Sequence, residues 1–427
     1  MNISFYNGVS GIKSQQFGID VIANNITNIN KTGFKANFAE FSTIFSSKLS
    51  GSLSDPTTND RGLAITVNST NTDFSQGVFM PTDNQYDMAI DGKGWFGVID
   101  EKNNFFYTRS GAFSKDANGN LIDANGFYVV GTNANNIQNG QIINNPTLDI
   151  TLSNPSQQEK ITFTKPLILP ATATTYVNIQ GNLNPKIITQ INPKTGLLEE
   201  KPNIEVFQTT VIDQNGNENI LKITFTKQVP QSSTDIIWNA TAEIFDQNKN
   251  IINSTQGVLN FDAKGALISN TLTSINNNGS NININLGSNY DGLVSFLNAD
   301  VNRIIEKDGF KKSNIKDYHI DKNGNVVAIF ENGKTIPIYK IAIFNFQNEE
   351  GLQKVSPVYY KESSNSGKAV FLNNTSTTIK TKNLEMSNVS LHRALTELIV
   401  MQKAFDASSK SITTSDQMVQ NAINMKK

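Results

Sequence analysis

The sequence predicts a multidomain protein, mainly β in its centre, whose N- and C-terminal α-helices pair into a discontinuous, coiled-coil-like domain. Three observations carry that reading. Near the C-terminal end, Leu384, Leu391, Leu398, Phe405, Ile412 and Val419 recur every seven residues with no Pro or Gly between them. Near the N-terminal end, Phe5, Ile12, Ile19 and Ile26 keep the same spacing. Between the ends, short apolar runs alternate with Asn- and Gly-rich turn signals. A seven-residue apolar period marks helices that lie along one another, and short strands punctuated by turns mark β domains.

The elements follow in order. Residues 3 to about 28 form the first helix, with Phe5, Val9, Ile12, Gln16, Ile19, Ala23 and Ile26 as a narrow stripe. Gly8, Gly11 and Gly18 each weaken it by about 1 kcal/mol relative to Ala, so it needs a partner to lie against. Asn30-Lys31-Thr32-Gly33 stops it, because Gly33 tolerates a left-handed C-cap. Phe34, Phe38, Phe41 and Phe45 are spaced as a second short amphipathic segment, and Ser46 to Asn71 reads as an extended or weakly ordered linker. Tyr86–Ile90 and Trp95–Ile99 are strands divided by an Asp91-Gly92-Lys93-Gly94 turn, and two further turns centre on 116–119 and 123–126. From about 150 to 290 a separate β domain is expected, barrel or sandwich. Its hairpin joins Ile204–Asp213 to Asn219–Thr226. Val326–Phe330 and Thr335–Tyr339 form another hairpin, and the last helix begins near Leu384 or a little later.

Composition excludes several function classes. The 427 residues leave room for two or three domains with real cores. Lys plus Arg is 36 against 37 for Asp plus Glu, so the basic excess of a nucleic-acid binder is absent, and little repulsion opposes close self-association. Without Cys there is no disulfide, thiolate metal site or Cys nucleophile. His319 and His392 are the only histidines and lie far apart. No apolar stretch is long enough to span a bilayer. Met1-Asn2-Ile3-Ser4-Phe5 does not begin a conventional secretory signal. That fits a cytoplasmic protein, and equally one exported without a cleaved signal.

No catalytic constellation emerges. Gly92 and Gly94 join strand to strand, not strand to helix, so a turn is favoured over a phosphate loop. The alternating Asp116, Asn118 and Asn120 lack the distal Glu of a helical calcium loop. Asp321 and Glu331 fall beside turns, with nothing to fix the separation that sugar chemistry needs. No cofactor is expected. On the last helix a second row, Ala394, Met401 and Ala422, is interrupted by Ser387, Ser408 and Ser415. Such small residues allow close approach but bury little area, which favours packing among several helices, partly from other subunits, over a free two-stranded coil. An intramolecular helical hairpin capping the β domains is the alternative.

The two ends also carry a resemblance. Ala23-Asn24-Asn25-Ile26-Thr27-Asn28 with Thr32-Gly33-Phe34-Lys35 is similar to the N-terminal signature of the bacterial flagellar rod and hook axial proteins. Phe74-Ser75-Gln76-Gly77, Asp87 to Phe96 (with Gly92 and Gly94) and Tyr107 to Phe113 resemble the blocks that follow. Leu384-Glu385-Met386-Ser387-Asn388-Val389, Gln402 to Phe405 and Thr414-Ser415-Asp416 resemble the family's C-terminal end. The insertion around Phe207–Asp213 and Trp238 looks like that of the family's hook members. Asn30-Lys31 and Gln85-Tyr86 depart from the usual pattern.

The resemblance implies a structural subunit, not an enzyme, that polymerises helically into a hollow, curved joint between rod and filament. Its partners would be further copies of itself, a rod protein at the base, a hook cap during assembly, a hook–filament junction protein at the distal end and the flagellar type III export apparatus. No nucleic acid and no transmembrane segment are implied. The location would be extracellular, reached without a cleaved signal peptide. The terminal helices (1–72 with 382–427) would line the tube. An inner β domain (73–149 with 295–381) and an outer one (150–294) would surround it. Phe41–Phe45 resembles a short aromatic export signal of this class, although a packed aromatic stripe explains it too. A rod protein or hook-like paralogue with an insertion, or a non-flagellar adhesin, are the alternative readings.

Overall fold

The structure is a computed structural model that describes residues 3–43, 46–48, 60–62, 64–143, 150–163, 166–230, 236–297, 299, 302–371 and 377–425. Its ends are helices: α1 is Ile3–Thr27 and α2 is Leu391–Asn424, and the two lie against each other. Between them the chain is almost wholly β.

Two expectations at the helical ends are corrected. Leu384 does not belong to the last helix: Asn383–Glu385 is a strand paired antiparallel with Phe79–Pro81, and Leu384 is buried there. The seven-residue period runs on past the helix start by coincidence. The ladder to Met80 satisfies the backbone of Leu384, and α2 starts only after Ser390 at its N-cap position. The segment after Phe34 is not helical either. Asn37–Thr43 pairs antiparallel with Ile65–Thr72, with a bulge at Glu40/Phe41. The partner strand carries Ile65, Thr66, Val67, Thr70 and Thr72, β-branched residues that favour a pleated ladder. Phe45 and residues 49–59 and 63 of the expected linker lie outside the described residues.

The larger β unit is built around Trp95–Ile99, which pairs with Phe105–Thr108, Tyr128–Asn133 and Ile343–Asn345. Ser313–Ile320, Asn325–Phe330 and Thr335–Ile341 form a meander that joins it through Tyr128–Asn133. The turns at 116–119 and 123–126 connect antiparallel neighbours, Phe113–Lys115 to Leu121–Asp123 and Leu121–Asp123 to Tyr128–Asn133. Asp116 and Asp123 shape them by accepting backbone N–H bonds from Asn120 at 2.7 Å and from Asn125 and Phe127 at 2.9 Å. Met88–Asp91 and Trp95–Ile99 do not pair with each other. The former takes Thr378–Thr381 as its partner, because Gly92 and Gly94, at φ +110° and +125°, redirect the chain between them. Glu159–Lys160 and Ile168–Leu169, assigned from sequence to the outer domain, pair into this larger sheet.

A second β unit holds five antiparallel strands, Ile204–Ile212, Glu218–Lys227, Ile236–Phe245, Ile251–Phe261 and Leu267–Asn270. A smaller sheet is centred on Tyr176–Asn182, which pairs parallel with Ser280–Asn285 and Asp291–Val294 and antiparallel with Ile304–Lys307. Phe207, Phe225, Trp238 and Phe261 of one sheet and Val177, Ile282 and Ile284 of the other share one apolar core, as in a sandwich. The hairpin read from Gln214-Asn215-Gly216-Asn217 is present in register from Ile204/Thr226 to Ile212/Glu218.

Candidate functional site

Both chain ends enter the larger β unit at one point. After α1, Gly33 adopts φ +67° with its Cα facing the Arg109–Ser110 backbone, where a Cβ would overlap that peptide. Phe34 then enters the apolar core and is fully buried. Lys35 follows, 1% exposed, with Nζ 2.6 Å from Glu385 Oε1 and donating to the Ser75 carbonyl at 2.7 Å. Arg109 Nη1 reaches Glu385 Oε2 at 3.4 Å, and the Gly77 N–H donates to Glu385 Oε1 at 3.0 Å. One fully buried carboxylate thus ties three other segments of the chain, at Lys35, Gly77 and Arg109, to its own. Burial lowers the pKa of Lys35, an effect Glu385 partly offsets, and Arg109 is shifted the same way for the same reason.

Hydrogen bonds close the joint around this cluster. Asn388 accepts from the Ala36 N–H at 2.8 Å and donates to the Asp73 carbonyl at 2.8 Å. The Gly33 N–H donates to the Glu385 carbonyl at 2.8 Å. Gly77 lies so close to the Met386 carbonyl that a Cβ there would overlap the oxygen. Asn25, near the end of α1, exchanges two bonds with the Asn37 backbone, at 2.7 and 2.9 Å, and so fixes the direction in which the helix leaves. Lys354 donates to Asn37 Oδ1 at 3.0 Å and stands over the rings of Phe34 and Tyr360 at 5.0 and 5.8 Å. Burial lowers its pKa to about 8.

The helix pair is built on small residues. The buried positions of α1 are Gly8, Gly11, Ser14, Gly18, Ile22 and Asn25. A Cβ on Gly8 would stand 2.6 Å from Ile412 Cγ1, one on Gly11 2.7 Å from Ser408 Oγ, and one on Gly18 3.2 Å from Met401 Sδ. Close approach is what these glycines provide, and their cost to helix propensity is offset by it. On α2 the buried residues are Ala394 and Ser415, both from the small second row. That row therefore faces α1 of the same chain, and the stripe with seven-residue spacing is left partly open. Ile12, Ile19 and Ile26 are half-buried, as are Leu398, Phe405 and Ile412, whereas Phe5, Leu391 and Val419 are exposed.

Comparison with known proteins identifies the architecture. A hook protein of Borreliella burgdorferi, FlgE, is 32% identical over 466 residues, covering 99% of both chains. The chain belongs to the flagellar hook protein family. The FlgE proteins of Treponema pallidum and Escherichia coli are 27% and 29% identical over 99% of this chain. Three family profiles match in chain order: "Flagella basal body rod protein" at 5–35, "Flagellar hook protein FlgE/F/G D1 domain" at 89–180 and "Flagellar basal body rod FlgEFG protein C-terminal" at 380–425. The crystal structure of Helicobacter pylori flagellar hook protein FlgE2 shares the fold, with a TM-score of 0.53 at 17% identity over 72% of this chain and all of that one. Members of this family are structural proteins of the flagellum and not enzymes.

Of the motif residues quoted from sequence, Asn25, Gly33, Phe34, Gly77 and Asn388 meet in the joint. Asn24 is exposed on α1, and its carbonyl accepts from Asn28 Nδ2 at 2.8 Å. Gly92 and Gly94 shape the turn that leads into Trp95, whose ring lies 5.5 Å from the Arg109 guanidinium. Sequence reasoning missed Lys35, Arg109 and Glu385 as one cluster. The signal available was three charged residues inside otherwise apolar or small-residue motif blocks.

Proposed function

We propose that this chain is the structural subunit of the flagellar hook. It polymerises helically into a hollow, flexible tube that transmits motor torque from rod to filament as a universal joint and passes exported subunits. One observation supports this most: the helix pair leaves apolar surface open although its root is tightly held. Leu391, Leu395, Ile399 and Val400 near the start of α2, and Met418, Val419 and Ile423 near its end, are between 44% and 60% exposed. Full burial of each such side chain contributes about 1.5–3 kcal/mol, so contact with helices of other copies has a large driving force.

In this reading the terminal helices form a coiled-coil-like inner wall, with the larger β unit around them and the second β unit outermost. We place the domain division at the strand pairings, so that the outermost unit begins near Tyr176 and ends near Lys307. The subunit meets a rod protein at the base, a cap during growth and a junction protein at the distal end. It leaves the cell through the flagellar type III export apparatus without a cleaved signal.

Electron microscopy of the full-length chain and of the variant Ile399→Asp with Ile423→Asp tests the reading. The wild type is expected to form hollow curved tubes. The variant is expected to remain soluble with its β units folded by circular dichroism. Tubes of normal stability from the variant would overturn it.

A further inference from the structure

Eight Asn–Gly pairs occur in the chain. Such a pair can react with itself, because glycine has no Cβ to hinder the approach of its backbone nitrogen to the asparagine side chain. The glycine amide nitrogen, once deprotonated, attacks the asparagine Cγ. A nitrogen–Cγ bond forms, the Cγ–Nδ2 bond breaks, and ammonia leaves carrying the displaced proton. Water then opens the five-membered ring to aspartate or isoaspartate. An N–H that donates to an acceptor is held in its protonated form and fixed in place, so its nitrogen attacks poorly.

The fold divides the pairs by what each glycine N–H does. Asn7–Gly8 lies inside α1, whose ladder binds the Gly8 N–H. In five turns the glycine N–H donates to the carbonyl three residues back, Gly119, Gly126, Gly216, Gly324 and Gly333 each at 2.9–3.2 Å. In three of these the asparagine N–H is held as well, by the carboxylate of Asp123, Asp213 or Asp321. The other two pairs sit in two-residue hairpin loops. Asn278–Gly279 joins Asn277 to Ser280, and Asn139–Gly140 joins Gln138 to Gln141. Both asparagines are exposed and take positive φ, +48° and +49°. In such a loop the ladder bonds run between the flanking residues and do not use the glycine N–H. Gly279 finds an acceptor of another kind, Asn276 Oδ1 at 3.2 Å. The Gly140 N–H has no acceptor among the described residues.

We infer that Asn139 is the site at which the folded chain modifies itself, by ring closure onto the Gly140 nitrogen with loss of ammonia. The position matters to the fold. Ile137–Gln138 and Gln141–Ile142 form one edge of the larger sheet. Gln141 pairs with Ile168 beside them, and the Ile168 N–H donates to the Gly140 carbonyl at 2.9 Å. Isoaspartate inserts one carbon into the main chain between Asn139 and Gly140, so the Gln138–Gln141 pair no longer closes over a two-residue loop. Either product adds a carboxylate to that edge.

The test holds the full-length chain at mildly alkaline pH, digests it and locates each conversion, a gain of one mass unit, by tandem mass spectrometry. Asn139 is expected to convert first, about fivefold faster than Asn278, the worth of one net hydrogen bond. In urea, where no turn is held, the eight pairs are expected to converge in rate. Asn276→Ala removes the acceptor of the Gly279 N–H. It is expected to speed Asn278 about fivefold and to leave Asn139 unchanged. A folded chain in which another pair converts first, or in which Asn139 is no faster than Asn278, overturns the assignment. So does an Asn278 rate that Asn276→Ala leaves unchanged.

Discussion

The substitution Glu385→Gln tests the joint most severely. Glu385 is fully buried, and the Lys35 and Arg109 side chains it binds are 1% and 4% exposed. Glutamine keeps the shape and leaves a carbonyl oxygen for the Gly77 N–H. It removes the negative charge that both buried cations touch, leaving only the more distant influence of Asp73 on Lys35 and of Glu349 on Arg109. Neutralising Lys35 sets a ceiling on the damage: releasing its proton at pH 7 from a reference near 10.4 costs about 4.6 kcal/mol. Burial already lowers the Lys35 pKa in the folded chain, which brings the cost below that ceiling. A loss of about 3–4 kcal/mol follows, within the range for removing one partner of a buried pair. The chain has two tryptophans, Trp95 beside Arg109 and Trp238 in the outer unit. Urea unfolding followed by fluorescence in Trp238→Phe and Trp95→Phe backgrounds therefore reads the two units separately. The Trp95 transition should fall by this amount, and the Trp238 transition should stay within about 0.5 kcal/mol, as expected for a distant site. Replacing the pair by Lys35→Met with Glu385→Leu should recover part of the loss. A Trp95 transition within about 1 kcal/mol of wild type in Glu385→Gln would refute the claim that this cluster holds the ends together.

Other outcomes follow from the same geometry. Gly8→Ala should lower the melting midpoint of the helical signal, although alanine gains about 1 kcal/mol in helix propensity, because its Cβ would stand 2.6 Å from Ile412 Cγ1 and 3.2 Å from the Ser408 carbonyl; a raised midpoint by circular dichroism would contradict this. Lys354, with a pKa of about 8 in the folded chain against an ordinary 10.5, gives up its proton earlier folded than unfolded. Its contribution therefore makes stability rise with pH between about 8 and 10.5, and urea midpoints at pH 7.5 and 9.5 should show that rise reduced in Lys354→Met. Deleting the chain from Leu391 onward should abolish polymerisation while both β units keep their cooperative unfolding, and tubes from the truncated chain would contradict it.

Local chemistry was readable from the sequence, and long-range choices were not. The Asp213–Asn217 turn names its own hairpin, because Asp213 accepts from the Asn215 and Asn217 N–H groups within a few residues. Leu384 was misassigned because its partner, Met80, lies some three hundred residues away in the chain, and only that pairing outweighs a continuous apolar period. Phe38 and Phe41 have helical spacing, but the strand from Ile65 to Thr72 decides their conformation. What the sequence did not disclose is that glycines of α1 set the closeness of the contact with α2, where they meet Ile412, Ser408 and Met401. Small residues signal close approach only once a partner is known. The motif glycines and asparagines of the joint were found through resemblance. Their roles needed the Glu385 cluster, which draws on residues 35, 77, 109 and 385 at once.

The central claim is that copies of this chain build a tube with the helix pair on its inside. Electron cryomicroscopy of tubes assembled from the full-length chain measures this directly. The account predicts α1 and α2 lining a central channel, with Leu395, Ile399 and Ile423 buried between copies and the β units outside. Tubes whose inner wall is β, or whose helices point outward with those side chains in solvent, would contradict it.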